Sequence, residues 1–247
     1  MIAFCSSMDQ AGPFSKDAFG CAALLDAMAS YDEKDSTCTK RKEINFEKSL
    51  SKDFGSLNIG VIKNIEKLGI NEDIINAYET SKTVLTGLGH KLIEVDFSEL
   101  SSGICSYYVI APAECSSNLS RFDGVKYGYR SDGDKDIVNL YMNTRSDGFG
   151  DEVKKRILIG THVLSAGFYD AYYLQAQKVR RMIKVKFENF FKDVDLIFMP
   201  TTLDQAFEKN RKSDDPNRMY KEDLLTIPAN LAGLPAISFP NGCLLYT

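Results

Sequence analysis

The sequence has 247 residues, of which 44% are hydrophobic and 26% are charged, a composition typical of a folded domain with a sizeable core. The net charge of -4 at pH 7 and the isoelectric point of about 5.4 argue against a protein that neutralises phosphates through a basic face. Any contact with nucleic acid is therefore expected to come from a partner.

The cysteines and histidines predict no metal site. The six cysteines, at positions 5, 21, 38, 105, 115 and 243, form no Cys-x-x-Cys pair and have no regular spacing, so neither a zinc site nor a disulfide framework is indicated. His90 and His162 each stand without a second ligand at metal-binding spacing. We therefore expect free, reduced thiols.

The chain shows no sign of export or of membrane insertion. It has no charged leader before an apolar run, and no stretch approaches the ~20 apolar residues of a membrane span. These observations favour a soluble cytoplasmic protein.

The first fifty residues predict one helix followed by a surface connection. Ser15 is a suitable N-cap for a helix over residues 16–29. Residues 30–53 are charged and weakly patterned, which indicates a surface connection with at most short structure. The predicted inner face of the helix consists of small or apolar residues, namely Ala18, Ala22, Leu25 and Met28.

A strand, a helix and a second strand follow in close succession. The apolar run LNIGVI at 57–62 predicts the first strand, and KLIEVDF at 91–97 predicts the second. Between them, residues 71–88 have helical periodicity, and Gly89 marks the end of the helix. This arrangement predicts two parallel strands joined by a crossover helix.

The segment 150–191 is predicted to form a short helical turn followed by one long amphipathic helix. Its tyrosine-rich part, FYDAYY, is interpreted as packing rings whose hydroxyl groups reach water. Basic residues are expected mostly on the solvent side, namely Lys178, Arg180, Arg181 and Lys184. The predicted inner stripe comprises Leu164, Phe168, Tyr172, Gln175, Val179, Met182, Phe187 and Phe190.

Two further apolar runs, VDLIFMP at 194–200 and LPAISFP at 234–240, predict a third and a fourth strand. Strands that are apolar on both faces and alternate with helices indicate a sheet covered on both sides, so the predicted class is α/β.

Five segments carry a resemblance to a known family: IAFCSSMDQAGPFSKD from residue 2, KDST from 34, YYVIAPAECSSNLSRFDGVKYGYR from 107, VKKRILIGTHVLSAGFYDAYYLQAQKVR from 153 and DDPNRMYKEDLLTIPANLAGLPAISFP from 214. They resemble the amidase signature family, and within it the A subunits of bacterial tRNA-dependent amidotransferases. They are spread over the whole chain with spacings that suit the family, whereas residues 38–56 and 200–213 match weakly. The resemblance implies a partial amidase domain over 1–247, with an incomplete mixed central β-sheet covered by helices on both faces.

The resemblance also implies an activity and partners. By that resemblance the A subunit hydrolyses glutamine and passes ammonia to a B subunit, which uses ATP and Mg²⁺ on Glu-tRNA(Gln) or Asp-tRNA(Asn), and a C subunit completes the complex. Its chemistry rests on a serine nucleophile, a second serine in a cis peptide and a lysine base. The Gly/Ser-rich segments that carry these groups, and the C-terminal end of the family, do not occur in this chain. No catalytic residue and no cofactor are therefore assigned to it, and alone it is expected to be inactive.

What the resemblance does assign here is a pocket for glutamine. Arg156 matches the arginine that binds the α-carboxylate, Asp223 matches the carboxylate that receives the α-ammonium, and Tyr107 matches a residue lining the same pocket. A zwitterion calls for such a pair, a planar bidentate donor and an acceptor. Taken alone, Arg156 is also compatible with a salt-bridged surface residue and Asp223 with a helix cap.

Two other functions stay open from the sequence. One is a stand-alone amidase of the same family that acts on another small amide, and the other is a non-catalytic scaffold derived from it. Aryl and fatty amides have no zwitterion, so the pairing of Arg156 with Asp223 separates the first of these from the glutamine hypothesis.

Overall fold

The computed structural model describes residues 1–40, 42, 44–133, 136–207, 209 and 221–242. The chain divides into two compact units. The larger unit comprises Met1–Asp9 and Leu57–Thr247, and the smaller one comprises Gln10–Ser56. Each unit is described by itself below.

The smaller unit contains two helices, α1 (Ala18–Met28) and α2 (Phe46–Ser49). The cap of α1 is Asp17, whose side chain accepts a hydrogen bond from the backbone nitrogen of Gly20 at 2.7 Å. The predicted cap, Ser15, was wrong because the chain becomes helical two residues later, where the Asp17 carboxylate reaches the first turn. Within this unit Asp26 accepts from the backbone nitrogen of Phe46 at 2.7 Å, which ties α2 to α1.

The sheet of the larger unit has three described strands, β1 (Asn58–Ile62), β2 (Lys91–Val95) and β3 (Leu196–Phe198). Their order is β2-β1-β3, and both pairings are parallel, so the predicted crossover between the first two strands is confirmed. Val61 and Ile62 are adjacent and both buried, and neighbouring residues of a strand point to opposite faces. The sheet is therefore covered on both faces, and the α/β class is confirmed.

Helix α3 (Glu72–Gly87) supplies the crossover, as predicted. Asn71 caps its start, and the chain leaves it through Gly89, whose φ of 89° is the left-handed conformation that favours glycine. The buried hydroxyl of Tyr78 accepts from the backbone nitrogen of Ile62 and donates to the carbonyl of Phe198, both at 3.0 Å. One side chain thus joins the carboxyl ends of two strands.

The predicted fourth strand was wrong. Within the described part of the chain, residues 234–240 have no strand assignment and most are exposed. Two prolines, Pro235 and Pro240, leave this run without two backbone donors, which weakens any ladder it could form. The contact that it makes with the sheet is through side chains, for example Phe239 stacked on Phe198 with ring centroids 6.1 Å apart.

The described part of the larger unit contains five further helices, and short 3₁₀ turns at Ile65–Leu68 and Ser98–Ser102. Helix α4 (Gly103–Leu119) has no apolar stripe, because buried residues occur all around it, and it contains Pro112. For these two reasons the sequence pattern did not predict it. The five are α4 (Gly103–Leu119), α5 (Ile137–Gly148), α6 (Asp151–Val163), α7 (Leu174–Phe190) and α8 (Ile227–Ala232).

Helices α4 and α6 approach each other closely at Gly160. A Cβ atom added there would collide with the carbonyl of Pro112 and lie 2.8 Å from the Cβ of Ser116. The neighbouring Thr161 shares a hydrogen bond with Ser116, whose hydroxyl oxygen is 2.8 Å from its own. Only glycine fits this helix crossing.

The segment 151–190 differs from its prediction. The expected short turn is the full helix α6, and a π turn at Tyr169–Tyr173 then leads into α7. Because a π turn adds a residue to the helical repeat, α7 is rotated relative to the stripe expected for a regular helix. The buried positions of α7 are Ala176, Ile183 and Phe187. Several members of the predicted stripe are exposed, namely Leu164, Phe168, Tyr172, Gln175 and Met182.

The same rotation corrects the prediction for Arg180, which is half-buried and hydrogen-bonded within the larger unit rather than turned to solvent. The other basic residues of α7 follow the prediction, since Lys178, Arg181 and Lys184 are exposed.

Among the described residues, no helix is both long enough and apolar enough to cross a membrane. The five cysteines in these ranges are all free thiols, and Cys243 lies outside them.

Candidate functional site

Arg156 lies in the middle of helix α6 and is held by two side chains. Its Nε donates to Oε1 of Glu152, one turn earlier, at 3.0 Å, and its side chain is 22% exposed. Partial burial disfavours the charge of the guanidinium, but hydrogen bonds to Tyr107 and Glu152 outweigh that effect, so the pKa of Arg156 is raised above its ordinary value. The arginine is therefore charged and oriented before any ligand arrives.

Tyr108, which the sequence did not single out, connects the arginine with the aspartate. The Cζ atom of Arg156 lies 5.9 Å from the centroid of the Tyr108 ring, and the Tyr108 hydroxyl donates to Oδ2 of Asp223 at 3.4 Å. The ring of Tyr107 packs edge-on against that of Tyr108, with centroids 5.0 Å apart. Both tyrosines are half-buried on helix α4.

Asp223 lies in the turn that precedes helix α8. Its backbone carbonyl accepts from the backbone nitrogen of Ile227, the first residue of the helix, at 3.0 Å. The cap position itself is occupied by Thr226. The Asp223 side chain is therefore turned to Tyr108 instead of serving as the helix cap that the sequence left open.

A second aromatic ring also contacts the guanidinium. The centroid of the Phe4 ring lies 5.8 Å from Cζ of Arg156. Phe4 begins a tight turn in which the carboxylate of Asp9 accepts from the backbone nitrogens of Phe4 and Cys5, at 2.8 and 2.9 Å. Aromatic rings near a guanidinium favour its charge and limit its access to water.

The structure thus brings Tyr107, Arg156 and Asp223 into one neighbourhood, around Tyr108. The arrangement offers a charged donor and an acidic acceptor in contact with the same tyrosine, which is the chemistry that a zwitterionic ligand needs. Their role in binding glutamine stays a prediction. The tyrosine pair at 107–108 was the only sequence signal that pointed towards Tyr108.

The histidines have structural roles. His90 accepts from the backbone nitrogen of Leu57 through Nδ1 at 3.2 Å, and His162 packs against the Phe168 ring with centroids 4.2 Å apart. Across the described ranges, no group of three or more His, Cys, Asp and Glu side chains is arranged to hold a metal ion.

Comparison with known sequences identifies close relatives. The chain is 51% identical over 242 residues to the A subunit of glutamyl-tRNA(Gln) amidotransferase from Cellvibrio japonicus (strain Ueda107), and 49% identical over 242 residues to the protein of that name from Coxiella burnetii (strain Dugway 5J108-111). Each alignment covers 98% of this chain and 50% of the relative. The chain therefore spans about half the length of the curated relatives it matches.

Solved structures show the same fold. The A subunit of glutamyl-tRNA(Gln) amidotransferase from Thermotoga maritima superposes with a TM-score of 0.69 at 34% identity, over 97% of this chain and 48% of that one. A bacterial aryl acylamidase of the amidase signature family has a TM-score of 0.66 at 15% identity, over 93% of this chain and 47% of that one, which shows a shared fold alone. The amidase family profile matches residues 1–243. The chain therefore belongs to the amidase family.

Proposed function

We propose that this chain carries the glutamine-binding part of an amidase subunit that releases ammonia from glutamine for a tRNA-dependent amidotransferase. The observation that carries the proposal is the contact of Tyr108 with both Arg156 and Asp223. The relatives named as A subunits of glutamyl-tRNA(Gln) amidotransferase support it.

In this proposal the α-carboxylate of glutamine binds the terminal nitrogens of Arg156, since Nε is already engaged by Glu152. The α-ammonium binds the carboxylate of Asp223, next to the hydroxyl of Tyr108. Tyr107 lines the pocket and holds the guanidinium through its hydrogen bond. Binding both charged groups disfavours amides that lack either one, because a half-buried charged side chain of the pocket would lose its ligand partner.

The remaining steps are assigned to other parts of the assembly. The serine nucleophile, the bridging serine and the lysine base belong to segments of the family that do not occur in this sequence. ATP and Mg²⁺ are proposed to act on a B subunit, which converts Glu-tRNA(Gln) or Asp-tRNA(Asn) with the ammonia, and a C subunit is the third proposed partner. The proposed compartment is the cytoplasm, where aminoacyl-tRNA is used.

Calorimetric titration of the purified chain tests the pocket directly. Three ligands are compared: L-glutamine, 4-carbamoylbutanoate, which lacks the α-ammonium, and 4-aminobutanamide, which lacks the α-carboxylate. We expect glutamine to bind more tightly than either analogue by roughly 10-fold or more, because each analogue leaves one charged group of the pocket unpaired. Arg156→Lys should weaken the binding of glutamine and leave that of 4-aminobutanamide unchanged. Asp223→Asn should also weaken the binding of glutamine but leave that of 4-carbamoylbutanoate unchanged.

Arg181→Lys, at an exposed position of α7, is the matched control and should bind glutamine like the unmodified chain. Equal affinity for the three ligands would contradict the proposal. A preference for an aryl or fatty amide would favour the stand-alone amidase instead. Ammonia release from glutamine is expected only when the chain is co-expressed with the segments of the family that carry the lysine and the serines. Turnover by the chain alone would contradict the proposal that the catalytic residues lie in those segments.

A further inference from the structure

Ser7 lies between an acidic and a basic side chain from two different helices. Its hydroxyl donates to Oε1 of Glu114 at 2.5 Å and accepts from Nη1 of Arg180 at 2.6 Å. Its backbone nitrogen donates to Oε2 of Glu114 at 2.9 Å, and its carbonyl accepts from Nη2 of Arg180 at 2.9 Å. We call Ser7, Glu114 and Arg180 the Ser7 cluster.

The acidic half of the cluster is fixed on the helix that carries the pocket tyrosines. Glu114 is half-buried on α4, two turns after Tyr107, and also accepts from the thiol of Cys5 at 3.3 Å. Residues two turns apart lie on the same side of a helix. One carboxylate therefore holds two residues of the N-terminal turn against the side of α4 that carries Tyr107.

The basic half of the cluster reaches a different part of the pocket. Nε of Arg180, on α7, donates to the carbonyl of Leu231 in the last turn of α8 at 3.0 Å. Carbonyls at the end of a helix have no partner within the helix, so this bond satisfies one of them. Helix α8 begins four residues after Asp223. The terminal nitrogens of Arg180 bind Ser7, which belongs to the same N-terminal turn as Phe4.

The cluster therefore connects the two ends of the candidate pocket. On one side it fixes the Phe4–Asp9 turn, whose first ring lies against Arg156, and on the other it fixes α8, which follows Asp223. We propose that Glu114 and Arg180 are positioning residues, which act through Ser7 and α8 to set the orientation of Arg156 and Asp223 for a free amino acid. This inference rests on the proposed function, since it concerns the same pocket.

The test measures glutamine affinity and the state of Arg156 separately. In Glu114→Gln and Arg180→Lys we expect the glutamine Kd to rise roughly 5- to 20-fold, because each change loosens a hydrogen-bonded contact that holds the pocket. Ser7→Ala, a smaller change that keeps both charged residues, should act in the same direction. Glu188→Gln and Arg181→Lys, at exposed positions of α7, are the matched controls and should leave the Kd within about twofold.

The second measurement is the NMR signal of the Nε–Hε group of Arg156, assigned by its loss in Arg156→Lys. We expect faster exchange of this proton with water in the three cluster variants, with or without glutamine. The inference would be overturned if the folded variants keep the proton exchange rate and the glutamine Kd of the unmodified chain and only their unfolding midpoint is lower. The cluster would then contribute to stability alone. If the unmodified chain binds no glutamine while the Arg156 signal still responds, the proposed function fails and the positioning link stands.

Discussion

Replacement of Gly160 by alanine should separate helices α4 and α6. The added methyl group would collide with the main-chain carbonyl of Pro112, and it would also lie 2.8 Å from the Cβ of Ser116. A backbone carbonyl cannot rotate away as a side chain can, so the two helices must move apart by about 1.5 Å to restore ordinary van der Waals distances.

The expected loss of stability follows from two opposing effects. Overpacking of a helix contact typically costs about 1–3 kcal/mol, and sometimes more. The better helix propensity of alanine offsets up to about 1 kcal/mol of that. Because the collision is with main chain, we expect a net loss of about 2 kcal/mol, which lowers the Tm of a chain of this size by roughly 4–8 °C.

Gly87→Ala is the matched control for this substitution. Gly87 is the last residue of α3, and an added Cβ atom would meet nothing within 4 Å, so the same chemical change should be neutral or stabilising by up to about 1 kcal/mol. Circular dichroism with urea titration measures both variants, provided that the slope of the transition is unchanged. Equal stability of Gly160→Ala and the unmodified chain would refute the close approach of α4 and α6.

The same substitution should also affect the candidate pocket. Arg156 lies one turn before Gly160 in α6, and Tyr108 lies one turn before Pro112 in α4. A larger distance between the helices would withdraw the guanidinium from the Tyr108 ring, so glutamine should bind more weakly to Gly160→Ala than to Gly87→Ala. Equal affinity would show that the pocket does not depend on this crossing.

Two further predictions concern buried ionisable groups. Burial raises the pKa of Tyr78 to about 12, so its protonated hydroxyl contributes stability that is complete below pH 10 and is lost as the pH rises towards 12. Tyr78→Phe should therefore lower the free energy of unfolding by about 1–3 kcal/mol at pH 7, because the backbone nitrogen of Ile62 loses its hydrogen-bond partner. The difference in stability between this variant and the unmodified chain should shrink above pH 10, and a constant difference up to pH 12 would contradict the prediction. Burial and the neighbouring Glu114 carboxylate raise the pKa of Cys5 to about 12. Iodoacetamide at pH 8 should therefore modify the exposed Cys105 well before Cys5. Equal modification rates, measured by mass spectrometry, would show that the Cys5 thiol is not protected.

The parts of the fold that the sequence predicted correctly depend on local signals. Strands β1 and β2 and helix α3 are bounded by residues with a strong conformational preference, such as the cap Asn71 and the left-handed Gly89. Strand β3 is short, but its apolar run ends at a proline. In each of these cases residues close in the sequence mark where the element begins or ends.

The wrong predictions concern segments whose conformation depends on contacts with residues far away in the sequence. The face of α7 could not be read from a period of 3.6 residues, because the π turn at Tyr169–Tyr173 changes the phase, and Arg180 was placed on the wrong side as a result. The run 234–240 has the composition of a strand but does not form one, because a strand needs a neighbouring strand to pair with as well as apolar residues.

The candidate site was only partly predictable. Arg156 and Asp223 were chosen from a resemblance, because 67 positions separate them and no periodicity links them. Tyr108 and Phe4 were missed because their contribution is the position of a ring, which is set by the packing of α4 and of the N-terminal turn. Residue type alone cannot distinguish such a ring from any other buried aromatic group.

The Ser7 cluster has a consequence for how the chain folds during its synthesis. Ser7 and Arg180 are 173 positions apart, and at about 5–20 residues per second the ribosome makes the second roughly 9–35 s after the first. Throughout that interval the Phe4–Asp9 turn lacks its contact with α7, although Asp9 can already cap its backbone nitrogens and Glu114 of α4 is made before Arg180. Completion of the Ser7 cluster by Arg180 is therefore expected to be a late step in folding, so Arg180 should affect mainly the unfolding rate.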